Sequence, residues 1–146
     1  IKEPVPENAF YDWALITKIL EEAELWWTPG TEQGYQGLTK GFLCGEVLRR
    51  VTGQSIGEFL QSEFSIPLGL DFFIGLPDKR IKDTATMIFP EQEEPQSDFF
   101  INVEEEPNGI QSKMFNNDGG HMKEFQTTAA LKSEIPAAGG LQQLLA

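Results

Sequence analysis

The chain has 146 residues, 23 Asp and Glu against 11 Lys and Arg, and a formal net charge of −12, the size of one ordinary domain or of a piece of a larger one. Apolar residues make up 40%, with 11 Phe and 3 Trp, so there is material for a core and the composition is not that of a disordered chain. The acidic balance argues against nucleic acid, no stretch approaches the run of about 18 apolar residues of a membrane span, and one Cys with one His builds neither an internal disulfide nor a tetrahedral zinc site.

The chain opens Ile1-Lys2-Glu3-Pro4-Val5-Pro6, with no initiator Met and no basic-then-apolar leader, and so reads as an excerpt of a longer chain. Asn8 is a candidate cap for a helix over 10–25. Trp13, Ile16, Leu20 and Ala23 recur there at spacings of three and four, one buried stripe, and Glu21, Glu22 and Glu24 fall at solvated positions. In Trp26-Trp27-Thr28-Pro29-Gly30-Thr31, Pro29 presets its φ and Gly30 accepts positive φ, which predicts a tight turn.

A second helix is expected over 38–52, with Leu38, Phe42, Val47 or Leu48, and Val51 as its apolar face and Arg49-Arg50 suiting the dipole at its end. Gly41 and Gly45 inside it predict close approach of another backbone, since interior glycine otherwise costs about 1 kcal/mol. Gly53 supplies a left-handed stop. Cys44, beside Phe42 and Val47, reads as a small core residue rather than a catalytic thiol. As a lone cysteine it leans towards a reducing, cytoplasmic compartment. Ser55-Ile56-Gly57-Glu58 is a capping box opening a third helix, with Phe59, Leu60 and Phe64 as apolar contacts, and Pro67 is expected to break it.

Beyond it, 72–74 and 85–89 are short strand candidates. The stretch 90–109 carries Glu91, Glu93, Glu94, Asp98, Glu104, Glu105 and Glu106 without a Lys or Arg, and reads as a solvated loop lacking the pattern of a calcium loop. Asn116-Asn117-Asp118-Gly119-Gly120 is turn material, 126–133 a short helix, and 141–146 a poor ending after Gly139-Gly140. No internal repeat is present.

Few residues offer chemistry. His121, the only histidine, reads as a solvated turn residue, and no Gly-x-Ser-x-Gly presents a nucleophile for it. Carboxylates are so numerous that chance pairs carry no glycosidase signal. Tyr35 differs: a tight turn delivers its aromatic hydroxyl to the start of a helix. On the residues alone a packing tyrosine with a polar tip remains the ordinary account.

The segments Trp27-Thr28-Pro29-Gly30-Thr31, Gly34-Tyr35-Gln36-Gly37-Leu38-Thr39, Gly45-Glu46-Val47-Leu48-Arg49-Arg50-Val51-Thr52-Gly53, Ser55-Ile56-Gly57-Glu58-Phe59 and Pro67-Leu68-Gly69-Leu70 together resemble the central part of β-lactamase-related serine hydrolases. These include class C β-lactamases, D-alanyl carboxypeptidases and esterases of the same fold. The likeness resumes at Glu134-Ile135-Pro136-Ala137-Ala138-Gly139-Gly140, and the acidic stretch has no counterpart. The resemblance implies acyl transfer through a serine in Ser-x-x-Lys, one helical turn from its lysine, with a tyrosine beside them matched here by Tyr35. Free tyrosine has a pKa of about 10, so such a tyrosine accepts the serine proton only beside ammonium charge, and backbone N–H groups stabilise the oxyanion.

The chain departs from that pattern. The third residues after Ser55, Ser62, Ser65, Ser97, Ser112 and Ser133 are Glu58, Ser65, Leu68, Phe100, Phe115 and Pro136, so Ser-x-x-Lys is absent from this sequence and is expected upstream of Ile1. The later Lys-Thr-Gly or His-x-Gly strand is missing, and Gly37 stands where the tyrosine motif has Asn, which suits an esterase better than a β-lactamase.

The expectation is therefore an α+β, mainly helical fragment of the β-lactamase/transpeptidase-like fold with a few short strands. A helical part over 1–77 carries the Tyr35 motif and a loop-rich part covers 78–146. No metal or other cofactor is expected, and the substrate of the whole protein is a small ester or amide. Exposed apolar surface where the rest of the fold belongs implies self-association. The alternative is a non-catalytic acidic interaction module or degenerate relative, with Tyr35 merely packed.

Overall fold

Asp12 sets the start of the first long helix. In the computed structural model, which describes residues 1–6, 9–85, 98–116 and 127–136, a 3₁₀ turn over Ala9–Tyr11 leads into α1, Trp13–Glu22. The Leu15 N–H donates to Asp12 Oδ1 at 3.0 Å, which satisfies one of the donors a helix leaves open at its first turn. The expected cap Asn8 lies outside the described residues. The helix ends at Glu22, short of Leu25, and has no basic residue in its last turn. Glu21, Glu22 and Glu24 instead crowd the negative end of the dipole, which disfavours further turns.

α1 packs on α2, Lys40–Thr52, and between them lies the core: Val5, Ala9, Phe10, Ile16, Leu38 and Phe42, with Trp13, Leu15, Leu20 and Ile135 against it. The Phe42 ring is 5.8 Å from that of Phe10 and 5.3 Å from that of Trp13, centroid to centroid, both tilted as aromatic pairs prefer. α2 ends as expected on Gly53, at φ +76°, with its N–H donating to the Arg49 carbonyl.

The buried side of α2 differs from the expected one. Phe42, Gly45 and Glu46 face inward, whereas Cys44 is exposed and Val47 and Val51 are 64% and 80% exposed. The two glycines explain the rotation. A Cβ on Gly41 would stand 1.4 Å from the Pro136 carbonyl oxygen, the close backbone approach expected of it. A Cβ on Gly45 would stand 2.6 Å from Cη2 of Trp13, a side chain rather than a backbone. Because the smallest residues admit the largest neighbours, the glycine side turns inward. Leu43, Val47 and Val51 form an outward apolar row at spacings of four.

α3, Ile56–Leu60, opens with the expected capping box: the Glu58 N–H donates to Ser55 Oγ at 3.2 Å and the Ser55 N–H donates to Glu58 Oε2 at 2.8 Å. Pro67 does not break the run. The chain passes through one π turn, Gln61–Ser65, into α4, Ile66–Leu68, and stops at Gly69 with φ +65°. In the wider turn Ile66 N–H donates to the Gln61 carbonyl, and Pro67 falls in the first turn of α4, where a missing N–H costs little.

The strand expectations are not met among the described residues. Phe72 and Thr84 are isolated bridge positions, and of 85–89 only Ala85 is described. The Phe72 carbonyl accepts from Gln61 Nε2 at 2.7 Å and from Ser65 Oγ at 2.9 Å, so this segment is tied to the preceding helix instead of to a sheet. A 3₁₀ turn, Asp78–Asp83, follows.

Part of the expected acidic loop over 90–109 is helical, as α5, Asp98–Glu105; α6, Ile110–Asn116, follows it, and the two pack on each other and bury Val103 and Ser112. Glu104, Glu105 and Glu106 remain exposed. α7, Thr128–Lys132, falls inside the expected 126–133, and the Ala130 N–H donates to the hydroxyl of its cap Thr127 at 3.2 Å. Residues 117–120, His121 and 141–146 lie outside the described residues.

A candidate active-site cleft around Tyr35

The loop carrying Tyr35 is held by local chemistry. Gly30 adopts φ +88°, the Thr31 N–H donates to the Thr28 carbonyl at 3.1 Å, and the Thr31 hydroxyl donates to the same oxygen at 2.8 Å. The turn expected at Pro29-Gly30 is thus closed twice. The chain then passes over Trp27: a Cβ on Gly34 would lie 2.7 Å from the indole Cη2. That contact seats the residue directly before Tyr35. Beyond it, Gln36 Nε2 donates to Thr39 Oγ1 at 2.9 Å, so the hydroxyl of the α2 cap residue ties the Tyr35 loop to the helix.

Tyr35 is 73% exposed and lines a cavity of about 650 Å³, within the usual range of small-molecule sites. Trp27 and Leu38 form one side, and Ile110, Lys113 and Met114 of α6 form another. A Cβ on Gly37 would make ordinary contacts, 3.5 Å to Met114 Cγ and 3.7 Å to Tyr35 Cε1. Glycine there is therefore not demanded by crowding. The Lys113 ammonium donates to the main-chain carbonyl of Lys2, which holds α6 against the N-terminal segment.

A second recess, of about 780 Å³, lies beside α1 and α2 and contains Glu46. Its buried carboxylate accepts from Trp13 Nε1 and Arg49 Nε at Oε2 and from Arg49 and Arg50 at Oε1, each at 2.8 Å; Arg50 also pairs with Glu21. The hydrogen bond from Arg49, with those from Trp13 and Arg50, outweighs burial and holds the Glu46 carboxyl well below the usual carboxylate range. Every oxygen of this group is occupied, so it joins two helices and is unsuited to proton transfer.

The segments that carry the family resemblance meet in space. Glu134 reaches Ser55 and Gly57 at the start of α3, and Pro136 lies over Gly41. Tyr35, Trp27 and Gly37 line one cavity. Cys44 is exposed on α2 and is not among the described residues that line it. Sequence reasoning missed α6 as a wall of this cavity. Its signal was Ile110 and Met114 at i and i+4, a pair short enough to be hidden between the glycine-containing sequences on either side of it. Among the described residues no three His, Cys, Asp or Glu side chains gather into a metal site, and no helix is long and apolar enough to cross a membrane.

The family model described as Beta-lactamase matches residues 1–141. Among solved structures, a novel penicillin-binding protein homolog from Caulobacter crescentus is similar, with 25% identity and a TM-score of 0.56 over 88% of this chain. The chain spans 32% of the length of that structure. No curated protein matches significantly.

Proposed function

The chain belongs to the beta-lactamase family, and from that premise we propose that it is the tyrosine-bearing part of a serine hydrolase acting on a small ester or amide through an acyl-serine, with ester the better substrate. Tyr35 is the general base that takes the proton from the serine hydroxyl and returns it to the leaving group. The nucleophilic serine and its lysine come from a Ser-x-x-Lys that this sequence does not contain. The observation that carries the reading is the placement of Tyr35: exposed, at the rim of a mainly apolar cavity, on a loop closed by the Pro29-Gly30 turn and seated by Gly34 on Trp27. A tyrosine that served only as packing would be buried against Trp27 or Phe42. Gly37 in place of an amide removes a polar partner that an amide or β-lactam substrate would use, which supports the preference for esters.

Two measurements test the proposal. The 146-residue chain alone, mixed with a p-nitrophenyl ester, is expected to give no burst of nitrophenolate. A stoichiometric burst abolished by Tyr35→Phe would show that a nucleophile resides in this chain. In the whole protein with its Ser-x-x-Lys segment, Tyr35→Phe is expected to lower kcat by about 10²–10⁴-fold, the ordinary contribution of a general base. Unchanged kcat would assign the chain to the non-catalytic, acidic interaction class.

A further inference from the structure

The cavity beside Tyr35 is an electrostatic exception in this protein. The chain carries 23 acidic side chains, yet among the described residues none lines the cavity, and Lys113 does. One donor of the Lys113 ammonium is spent on the Lys2 carbonyl, and an ammonium has three. Gln36, a polar group at the wall, is engaged with Thr39. Gln33 and Gln111 add polar groups at the wall, and the larger part of the described lining is apolar and aromatic: Trp27, Leu38, Ile110 and Met114, with Trp26 beside them.

We propose that this cavity is the seat of an aryl or branched hydrocarbon group that is uncharged or carries a single negative charge, and that it rejects cationic ligands. Apolar walls recover hydration free energy from such a group. The Lys113 ammonium, with no carboxylate among the described lining residues, favours a carbonyl or carboxylate end and disfavours an ammonium end. The inference deepens the ester-hydrolase reading by naming the class of group that its substrate carries. It rests on that reading only in calling the ligand a substrate, because binding is measurable without turnover.

Trp26 and Trp27 line the cavity, so indole fluorescence reports its occupancy. The chain is titrated with three probes of one shape: p-nitrobenzyl alcohol, p-nitrobenzoate and p-nitrobenzylammonium. The alcohol and the benzoate are expected to quench with saturation, and the ammonium to bind at least about tenfold more weakly. Ile110 is partly exposed, so Ile110→Asp is tolerated by the fold; it is expected to weaken the first two probes about tenfold. Lys113→Gln is expected to weaken the benzoate more than the alcohol. Equal binding of all three probes, or Ile110→Asp binding like the parent, overturns the proposal. Binding in the expected order, together with full activity of Tyr35→Phe in the whole protein, would remove the catalytic reading and leave this one standing.

Discussion

Glu134 reaches 79 positions back along the chain to accept the Ser55 hydroxyl at Oε1, at 2.6 Å. Its other oxygen, Oε2, accepts the Gly57 N–H at 3.1 Å. One carboxylate thus binds the start of α3 twice, at the end of a dipole that favours negative charge. A Cβ on Gly57 would stand 2.4 Å from the Ile74 carbonyl and 2.8 Å from Glu134 Oε1, so glycine is what lets the two segments close on each other.

Glu134→Ala is expected to cost about 2–4 kcal/mol, since two hydrogen bonds to a charged group are lost and the Gly57 donor is left without this partner. Glu134→Gln keeps an acceptor and costs less. Urea unfolding followed by circular dichroism measures both. Equal, small losses would mean that solvent replaces the carboxylate at no cost.

Gly41→Ala and Gly37→Ala are expected to separate. The first puts a methyl group 1.4 Å from a backbone oxygen, which forces the 132–136 segment away from α2 and costs about 1–3 kcal/mol or more. The second meets only ordinary contacts at 3.5 Å and beyond, and stays within about 0.5 kcal/mol of the parent. Thermal unfolding of the two variants side by side decides it.

Glu46 gives stability a pH dependence of definite sign. Its carboxyl is held below the ordinary range in the folded state by Arg49, Trp13 and Arg50, so the contribution is fully present above the unfolded value, about 4.3. It is lost as the pH falls below that value towards the folded one. The urea midpoint of the parent should therefore drop more between pH 6 and pH 3 than that of Glu46→Gln, which lacks the titrating group. Parallel curves would show that the paired carboxylate contributes no linkage.

Cys44 lies exposed on the outer side of α2, so its thiol is expected to react stoichiometrically with a disulfide reagent in the native protein. Cys44→Ser should change stability by no more than about 0.5 kcal/mol. A thiol that reacts only in denaturant would return Cys44 to the core.

Local signals were legible along the chain. The capping box at Ser55 and Glu58, the left-handed stop at Gly53, the turn at Pro29-Gly30 and the short helix near Thr128 each depend on hydrogen bonds or φ preferences within a few residues, so their sequences suffice. The loop that places Tyr35 was legible for the same reason: the turn, Gly34 and the helix start are its neighbours in the chain. What they could not specify was the direction in which each element faces. α2 turns Glu46 inward and Val47 and Val51 outward because Trp13 and Pro136 fill the space above Gly45 and Gly41, and those partners are remote in sequence. The Phe72 carbonyl bonds to Gln61 and Ser65 and not to a strand, Pro67 is carried by a π turn, and α6 supplies a wall to the cavity at Tyr35. Helix caps and turns are short-range agreements within one stretch of chain; burial is a competition among all stretches for the same interior volume, and only the folded arrangement settles which side chains win it.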